Sequence, residues 1–449
     1  MRSLIRSRRG SVAFATVIAL VPLIGVVALG AEAGTWYVTK QHAQNAADAA
    51  AYSGGLWKAC SLSASTCSDA KTLDYRGKEF AAQNAFCNGG DNSTYPGSKC
   101  KTLPSGTTQS VTIAPLTSWG GTNGNFVQAT VSQTQPTYLA SVLGLSAVTV
   151  GATAVAKVQG LPKPPCALAL TGSVSFQGSP TINAPNCGLV SNDPAKDALN
   201  FTGGGMTMNL GSLAAAGGCT GAANFCNTAF TYMPPVTNPF AALDTALTAM
   251  CGSNPSLPAK CGLTSCTGSG LTPYTAAKPC VNDNVKTKGN TVVTLNPGVY
   301  FLSGTLTLTG GSSVTGTGVT LVLLPGASID TKGGGILSIT GPTTVPGVSS
   351  LPSAFQASAS LFQYMAIYYG SASAVTFGGN SNINLTGNIY APTAPVTFQG
   401  NPTMSLGGAG GCGELVAASI AFNGNSTFDS RGCSATTKLP TTQYVQLMQ

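Results

Sequence analysis

Val375-Thr-Phe377-Gly-Gly379-Asn-Ser-Asn-Ile383, Val396-Thr-Phe398-Gln-Gly400-Asn-Pro-Thr-Met404 and Ile420-Ala-Phe422-Asn-Gly424-Asn-Ser-Thr-Phe428 are three copies of one short pattern. A fourth copy, Val174-Ser-Phe176-Gln-Gly178-Ser-Pro-Thr-Ile182, stands far upstream. The shared form is apolar-x-Phe-x-Gly, two turn-forming residues, a polar residue, then an apolar one. Alternating apolar positions put Val and Phe on one side of a strand. Glycine follows where the chain turns a corner and unusual torsions are needed. The three C-terminal copies recur roughly every 20–25 residues, a period that marks solenoids. One coil cannot bury its own apolar face; stacked coils bury a continuous column.

Weaker copies fill the interval. Leu306-Thr-Leu308-Thr-Gly310 leads to Val314, and Leu337-Ser-Ile339-Thr-Gly341 leads to Val345. Leu199-Asn-Phe201-Thr-Gly203 begins the same way. Second short strands follow several copies, at Leu189-Val190, Ile389-Tyr390-Ala391 and Leu415-Val416-Ala417. The expected fold is mainly β, with a C-terminal β-solenoid of the right-handed parallel β-helix type. The register breaks between Phe201 and Thr305. That stretch carries Cys219, Cys226, Cys251, Cys261, Cys266 and Cys280, and Phe240 to Met250 has helical spacing. It reads as a disulfide-rich insertion, at about 204–290, projecting from the solenoid. Insertions between coils serve either as a binding face or as plain structure.

The other end of the chain has a different character. Arg2, Arg6, Arg8 and Arg9 precede an uncharged apolar run from Ser11 to Ala31. At about 1.5 Å per residue that run is long enough to cross a hydrocarbon core of about 30 Å. Pro22 lies inside it, which transmembrane helices tolerate. Arginines before the run keep the N-terminus in the cytoplasm, and Trp36-Tyr37 suit the far interface. Ala31-Glu32-Ala33 also fits a signal cleavage site, but the run exceeds the usual signal core of about 7–15 residues. A retained single-pass anchor is expected, in the bacterial inner membrane, with the bulk of the chain periplasmic or otherwise extracytoplasmic. Gln41 to Tyr52 is rich in Ala and favours a helix.

Arg9-Gly10-Ser11-Val12-Ala13, the apolar run and Gln44-Asn45-Ala46-Ala47-Asp48-Ala49-Ala50 together resemble the N-terminal segment of TadE/TadG-like Flp pilus-assembly proteins. Phe126 to Val131, Pro136 to Ala140, Leu143-Gly144, Val148 to Val150 and Ala154 to Ala156 resemble the β-rich segment that follows in such proteins. The resemblance covers about a third of the chain. It implies a pilus-assembly context, with pilus or secretion-apparatus proteins as partners. Two features depart from the pattern. Pilin-like members carry Glu at the fifth position after the processing Gly, and here that position is Ala15. The Asp-x-Ser-x-Ser metal motif of longer TadG members is not in the sequence, so no metal-dependent adhesion site is carried over.

The expected division is 1–34 for tail and anchor, 35–58 for a helical stalk and 59–160 for a small α+β domain of TadG-like type. The solenoid follows at 161–440, opened by the stiff Leu161-Pro162-Lys163-Pro164-Pro165, and 441–449 is a tail. Charged residues are only 8% of the chain, against 56 glycines. Of 21 basic residues, four are the arginines before the apolar run, leaving near balance with 13 acidic residues. No basic cluster marks a nucleic-acid partner.

The 14 cysteines are even in number, and in an exported chain disulfides are the default. Proximity pairs Cys60 with Cys67, Cys87 with Cys100, Cys166 with Cys187 and Cys219 with Cys226. It pairs Cys251 with Cys261, Cys266 with Cys280 and Cys412 with Cys433. Connectivity itself is not encoded in spacing.

Catalytic chemistry finds little support. Glycoside hydrolysis needs two carboxylates flanking the bond. The solenoid region offers Asp193, Asp197, Asp244, Asp283, Asp330, Glu414 and Asp429, none adjacent in sequence. Glu414 and Asp429 are placed on neighbouring coils and read as solvated surface groups. His42 is the only histidine, beside the membrane. No catalytic residue, cofactor or metal is assigned. The expected function is a structural or assembly protein presenting a solenoid for protein or surface interaction. The alternatives are a surface adhesin or a polysaccharide-binding or polysaccharide-cleaving β-helix, for which Tyr364, Tyr368, Tyr369 and Tyr390 are the candidate aromatics.

Overall fold

A computed structural model describes residues 8–62, 69–252, 260–267, 270–331, 334–379, 382–406, 413–430 and 442–448. The chain forms two compact units. One comprises residues 1–62, 67–159 and 444–449; the other is built mainly from 160–443.

In the first unit the apolar run and the alanine-rich segment are one continuous helix, α1 (Arg8–Leu62). Ala43, Ala46, Ala47, Ala50 and Ala51 recur at helical spacing and are fully buried. They pack on Val127, Ala129, Val131, Ala152, Ala154 and Ala156 of a sheet. The expected stalk is therefore the core helix of this unit. Its small side chains let the helix lie close to the strands: a Cβ on Gly54 would stand 2.8 Å from Val127. The sheet pairs Thr108–Trp119, Thr122–Pro136 and Ala147–Gly160 antiparallel. Helix α2 (Leu73–Gln83) starts at Thr72, whose hydroxyl accepts the Tyr75 N–H. Gln443–Met448, read from sequence as part of a tail, forms the fourth strand, beside Ala147–Gly160. Val445 anchors it on the same core.

The second unit is a parallel β-solenoid with three faces per coil. On the first face Gly298–Leu302 pairs with Val319–Leu323, then with Met365–Tyr369, 388–391, 415–417, Pro165–Ala169 and 188–191. The second face carries the phenylalanine motif and the third the apolar residue after the glycine. Phe377, Phe398, Phe422, Phe176 and Phe201 are direct partners in succession. Their ring centroids stand 5.6, 5.0, 5.4 and 4.7 Å apart. On the third face Ile383, Met404, Phe428, Ile182 and Met208 stack likewise. Gly400, Gly424 and Gly178 turn the corner between them with φ of +90°, +72° and +88°. There a Cβ on Gly178 would stand 2.9 Å from the Gly424 carbonyl. One weak copy is out of this register: Leu337 and Ile339 lie on the third face, against Ile383 and Leu385.

The coils do not stack in chain order. The last described coil, Leu415–Gly424 and Thr427–Asp429, lies directly on the first, Pro165–Ala169 and Val174–Gly178. From that seam the chain builds outward through Leu199–Phe201 to Cys219–Thr220. It then crosses to the far end and builds back through Val292–Leu295 and Gly298–Leu302.

The stretch expected to project as an insertion is this crossing. Its start is still solenoid, since Thr207–Ala215 pairs with the preceding coil. Helix α3 (Ala223–Cys226) then ends the aromatic stack, with Phe225 on Phe201 at 5.2 Å. Helix α4 (Ala241–Cys251) lies on the outer side of the first face, burying Leu243, Ala246 and Leu247. Helix α5 (Ser353–Gln356) covers the same side further along, with Phe355 against Phe301 and Tyr368. The physical reason is the first face itself. Its strands are apolar on both sides, as in Val319–Leu323 and Met365–Tyr369, and need a cover.

Five cysteine pairs are joined in the structure: Cys87–Cys100, Cys166–Cys187, Cys219–Cys226, Cys251–Cys261 and Cys266–Cys280. Cys60 is also disulfide-bonded. The expected pairs with Cys67, and of Cys412 with Cys433, lie outside the described residues.

Candidate functional site

Of the residues singled out as candidate ligands or catalysts, the fold brings Asp244, Tyr368 and Tyr390 together in a buried cluster and disperses the rest. Tyr368, Tyr369 and Tyr390 are buried, and only Tyr364 is exposed, at 43%. They form no aromatic strip for a sugar, because Tyr368 and Tyr390 face the helix cover and Tyr369 the interior. Tyr368 and Tyr390 stack at 5.4 Å, and both hydroxyls donate to the Asp244 carboxylate of α4. Asn238 donates to the Tyr390 oxygen, and Tyr368 also reaches the Leu243 carbonyl. Burial pushes the Asp244 carboxyl above its usual value, and the two tyrosine hydroxyls pull it back only in part. Burial likewise raises both tyrosines. This cluster pins the crossing helix to the sheet.

Asp283 belongs to another structural network. Hydrogen bonds from Ser265 and Ser303, with Lys260 at 3.2 Å, hold its carboxyl below the usual value. Asp193 accepts the Ala195 N–H. Asp197 is exposed, and Asp330 ends a second-face strand. Glu414 is not a solvated surface group: it is 1% exposed. Nor do Glu414 and Asp429 belong to neighbouring coils. They open and close the same coil, since 415–417 and Thr427–Asp429 are its first and third faces. Among the described residues no group of three His, Cys, Asp or Glu side chains could hold a metal ion.

The solenoid instead presents ordered rows of mostly uncharged polar groups, interrupted by the acidic Asp429 and the apolar Ala421. On the outside of the third face Asn382, Thr403, Thr427, Thr181 and Thr207 are successive partners. Beside them run Asn384, Ser405, Asp429, Asn183 and Asn209. Asn209 donates to Asn183 across the rungs at 3.0 Å. On the second face Thr376, Thr397, Ala421, Ser175 and Asn200 form a parallel row. The rungs repeat at about 4.8 Å. Apart from Asp429 and Ala421, these rows offer hydroxyl and amide groups at fixed spacing. The polar residue of the repeat corresponds to the first of these rows, Asn382, Thr403, Thr427 and Thr181. Tertiary stacking then placed the residues from 181 and 207 in line with those from 382 to 427.

In the first unit Glu32, which the sequence shows only within a candidate cleavage site, holds the backbone of a loop. Glu32, the first residue after the apolar run, is 9% exposed. It accepts the backbone N–H groups of Tyr138, Leu139 and Ala140 at 2.7, 3.1 and 2.9 Å.

Residues 10–59 match a family described as putative Flp pilus-assembly TadE/G-like. Residues 57–156 match a second family, described as putative Tad-like Flp pilus-assembly. The resemblance carried by Gln44–Ala50 and residues 126–156 is thus shown for the N-terminal part of the chain. No curated protein matches the chain. Among solved structures, the DUF3494 domain of an ice-binding protein from Shewanella frigidimarina aligns at 13% identity. The alignment covers 61% of this chain and 99% of that one, with a TM-score of 0.23. That likeness is too slight to assign a fold or a ligand.

Proposed function

We propose that this chain is a non-enzymatic structural component of Flp-type pilus assembly. In this reading α1 holds it in the inner membrane with its N-terminus in the cytoplasm. The first unit engages pilus or secretion-apparatus proteins, and the solenoid presents its polar rows to a protein or cell surface outside. The observation that carries it is the pair of pilus-assembly matches spanning 10–156. The long apolar helix supports the anchorage. The buried state of Tyr368, Tyr369 and Tyr390 weighs against the polysaccharide alternative, which wants exposed rings.

The test is deletion of the gene, scoring pili by electron microscopy and adhesion by cell counting, with complementation by the full chain. Loss of pili or of adhesion, restored by the full chain, is the expected result. Normal piliation and adhesion with altered polysaccharide turnover would overturn the proposal.

A further inference from the structure

The first unit carries exposed apolar side chains close together in the chain. Tyr138 is 75% exposed, Leu145 55% and Leu139 41%, all within one short loop, and Tyr37 of α1 is 67% exposed. Beside the loop a cleft of about 480 Å³ is lined by Ala28, Ala31, Trp36, Pro104, Pro136 and Leu139. Scattered apolar residues are ordinary on a surface, but a contiguous patch marks an interaction site.

Height along α1 identifies the occupant. The apolar run ends at Ala31, so Glu32 stands where the helix leaves the hydrocarbon. Its carboxylate grips the backbone of Tyr138, Leu139 and Ala140, which fixes the loop at that level. Eight residues on, Lys40 donates to the Gly151 carbonyl and ties the adjacent strand to the same helix. The cleft is continuous with the membrane-spanning surface, since Ala28 and Ala31 belong to both. Tyrosine and tryptophan beside leucine are the residues that settle at a bilayer interface.

We infer that the 137–146 loop and its cleft form a second membrane contact, seated in the interfacial layer of the bilayer that α1 crosses. The anchor is thus a helix plus a dipping loop, clasped together by Glu32, which limits the tilt of the first unit. The inference rests on the membrane-anchored reading of α1.

The experiment uses the full chain reconstituted alone in phosphatidylethanolamine/phosphatidylglycerol vesicles whose acyl chains are brominated near the headgroup. Four single-tryptophan variants are compared: Trp36 alone, Trp119 alone, and Tyr138→Trp or Leu145→Trp with the native tryptophans changed to Phe. Trp119 is the control. It lies at the hairpin end of Thr108–Trp119, eleven residues from the loop end, roughly 37 Å away at about 3.4 Å per residue. The expected result is that tryptophan at 138 and at 145 loses emission to the extent Trp36 does, while Trp119 keeps its emission. If Trp36 is quenched but 138 and 145 behave like Trp119, the inference is overturned and the patch is left to a protein partner. If Trp36 is itself unquenched, the anchored reading fails and this inference with it. Two loop positions guard against one variant misfolding.

Discussion

Phe422 sits where the last described coil meets the first, fully buried between Phe398 and Phe176. Its neighbours on one side come from the preceding coil and on the other from a segment more than two hundred residues earlier in the chain. Truncating a buried phenylalanine loses its transfer free energy and leaves a cavity. Phe422→Ala should destabilise the solenoid by about 3–5 kcal/mol in equilibrium denaturation. It should also raise proteolysis at the seam. A loss below about 1 kcal/mol would mean that the aromatic column does not hold the coils together. That Phe422 is buried was legible from its place in the repeat. That its far-side partner is Phe176 was not, because Phe176, Phe201, Phe377 and Phe398 all sit at the same position of their copies.

At the scale of elements, α4 is the piece whose existence was legible and whose position was not. Phe240 to Met250 shows helical spacing, but nothing in it says whether the helix projects or lies flat. Its apolar side meets strands that are apolar on both sides, and Tyr368 and Tyr390 supply hydroxyls for Asp244. This contact has a pH signature. The folded-state value of Asp244 is raised above the ordinary carboxyl value of 3.8. The folded state therefore binds the proton more tightly than the unfolded chain. The stabilisation is fully present below the unfolded value, and is lost as pH rises through the raised one. Asp244→Asn removes that dependence. The expected outcome is a gap between the melting temperatures of the Asn variant and the parent that widens in the variant's favour as pH climbs from the acid range to neutrality. A constant gap would show that Asp244 has the same affinity for its proton folded and unfolded.

For the whole molecule, the order of coils decides how the chain closes. Because the first coil stacks on the last, the two ends of the solenoid lie together, and the Leu161 N–H bonds the Thr442 carbonyl at 3.0 Å. The chain can therefore leave the sheet of the first unit after Ala147–Gly160 and return as its neighbouring strand, Gln443–Met448. The solenoid is an insertion into the first unit. Replacing 161–442 by a short Gly/Ser linker should leave a first unit that folds in detergent, read by circular dichroism and a cooperative melt. A molten remainder would show that the first unit depends on the solenoid. Several features were determined by sequence alone. They are the coil, with its alternating strand, its phenylalanine and its corner glycine; the apolar span of α1; and the helical nature of the alanine-rich stretch. Each follows from local periodicity, which the chain carries within a few residues. Tertiary structure alone decided which coil lies on which, that the crossing chain covers the first face, and that the last strand belongs to the first unit. Repeat copies are interchangeable as partners, so pairing among them is settled by what the rest of the chain must bury and where its two ends must meet.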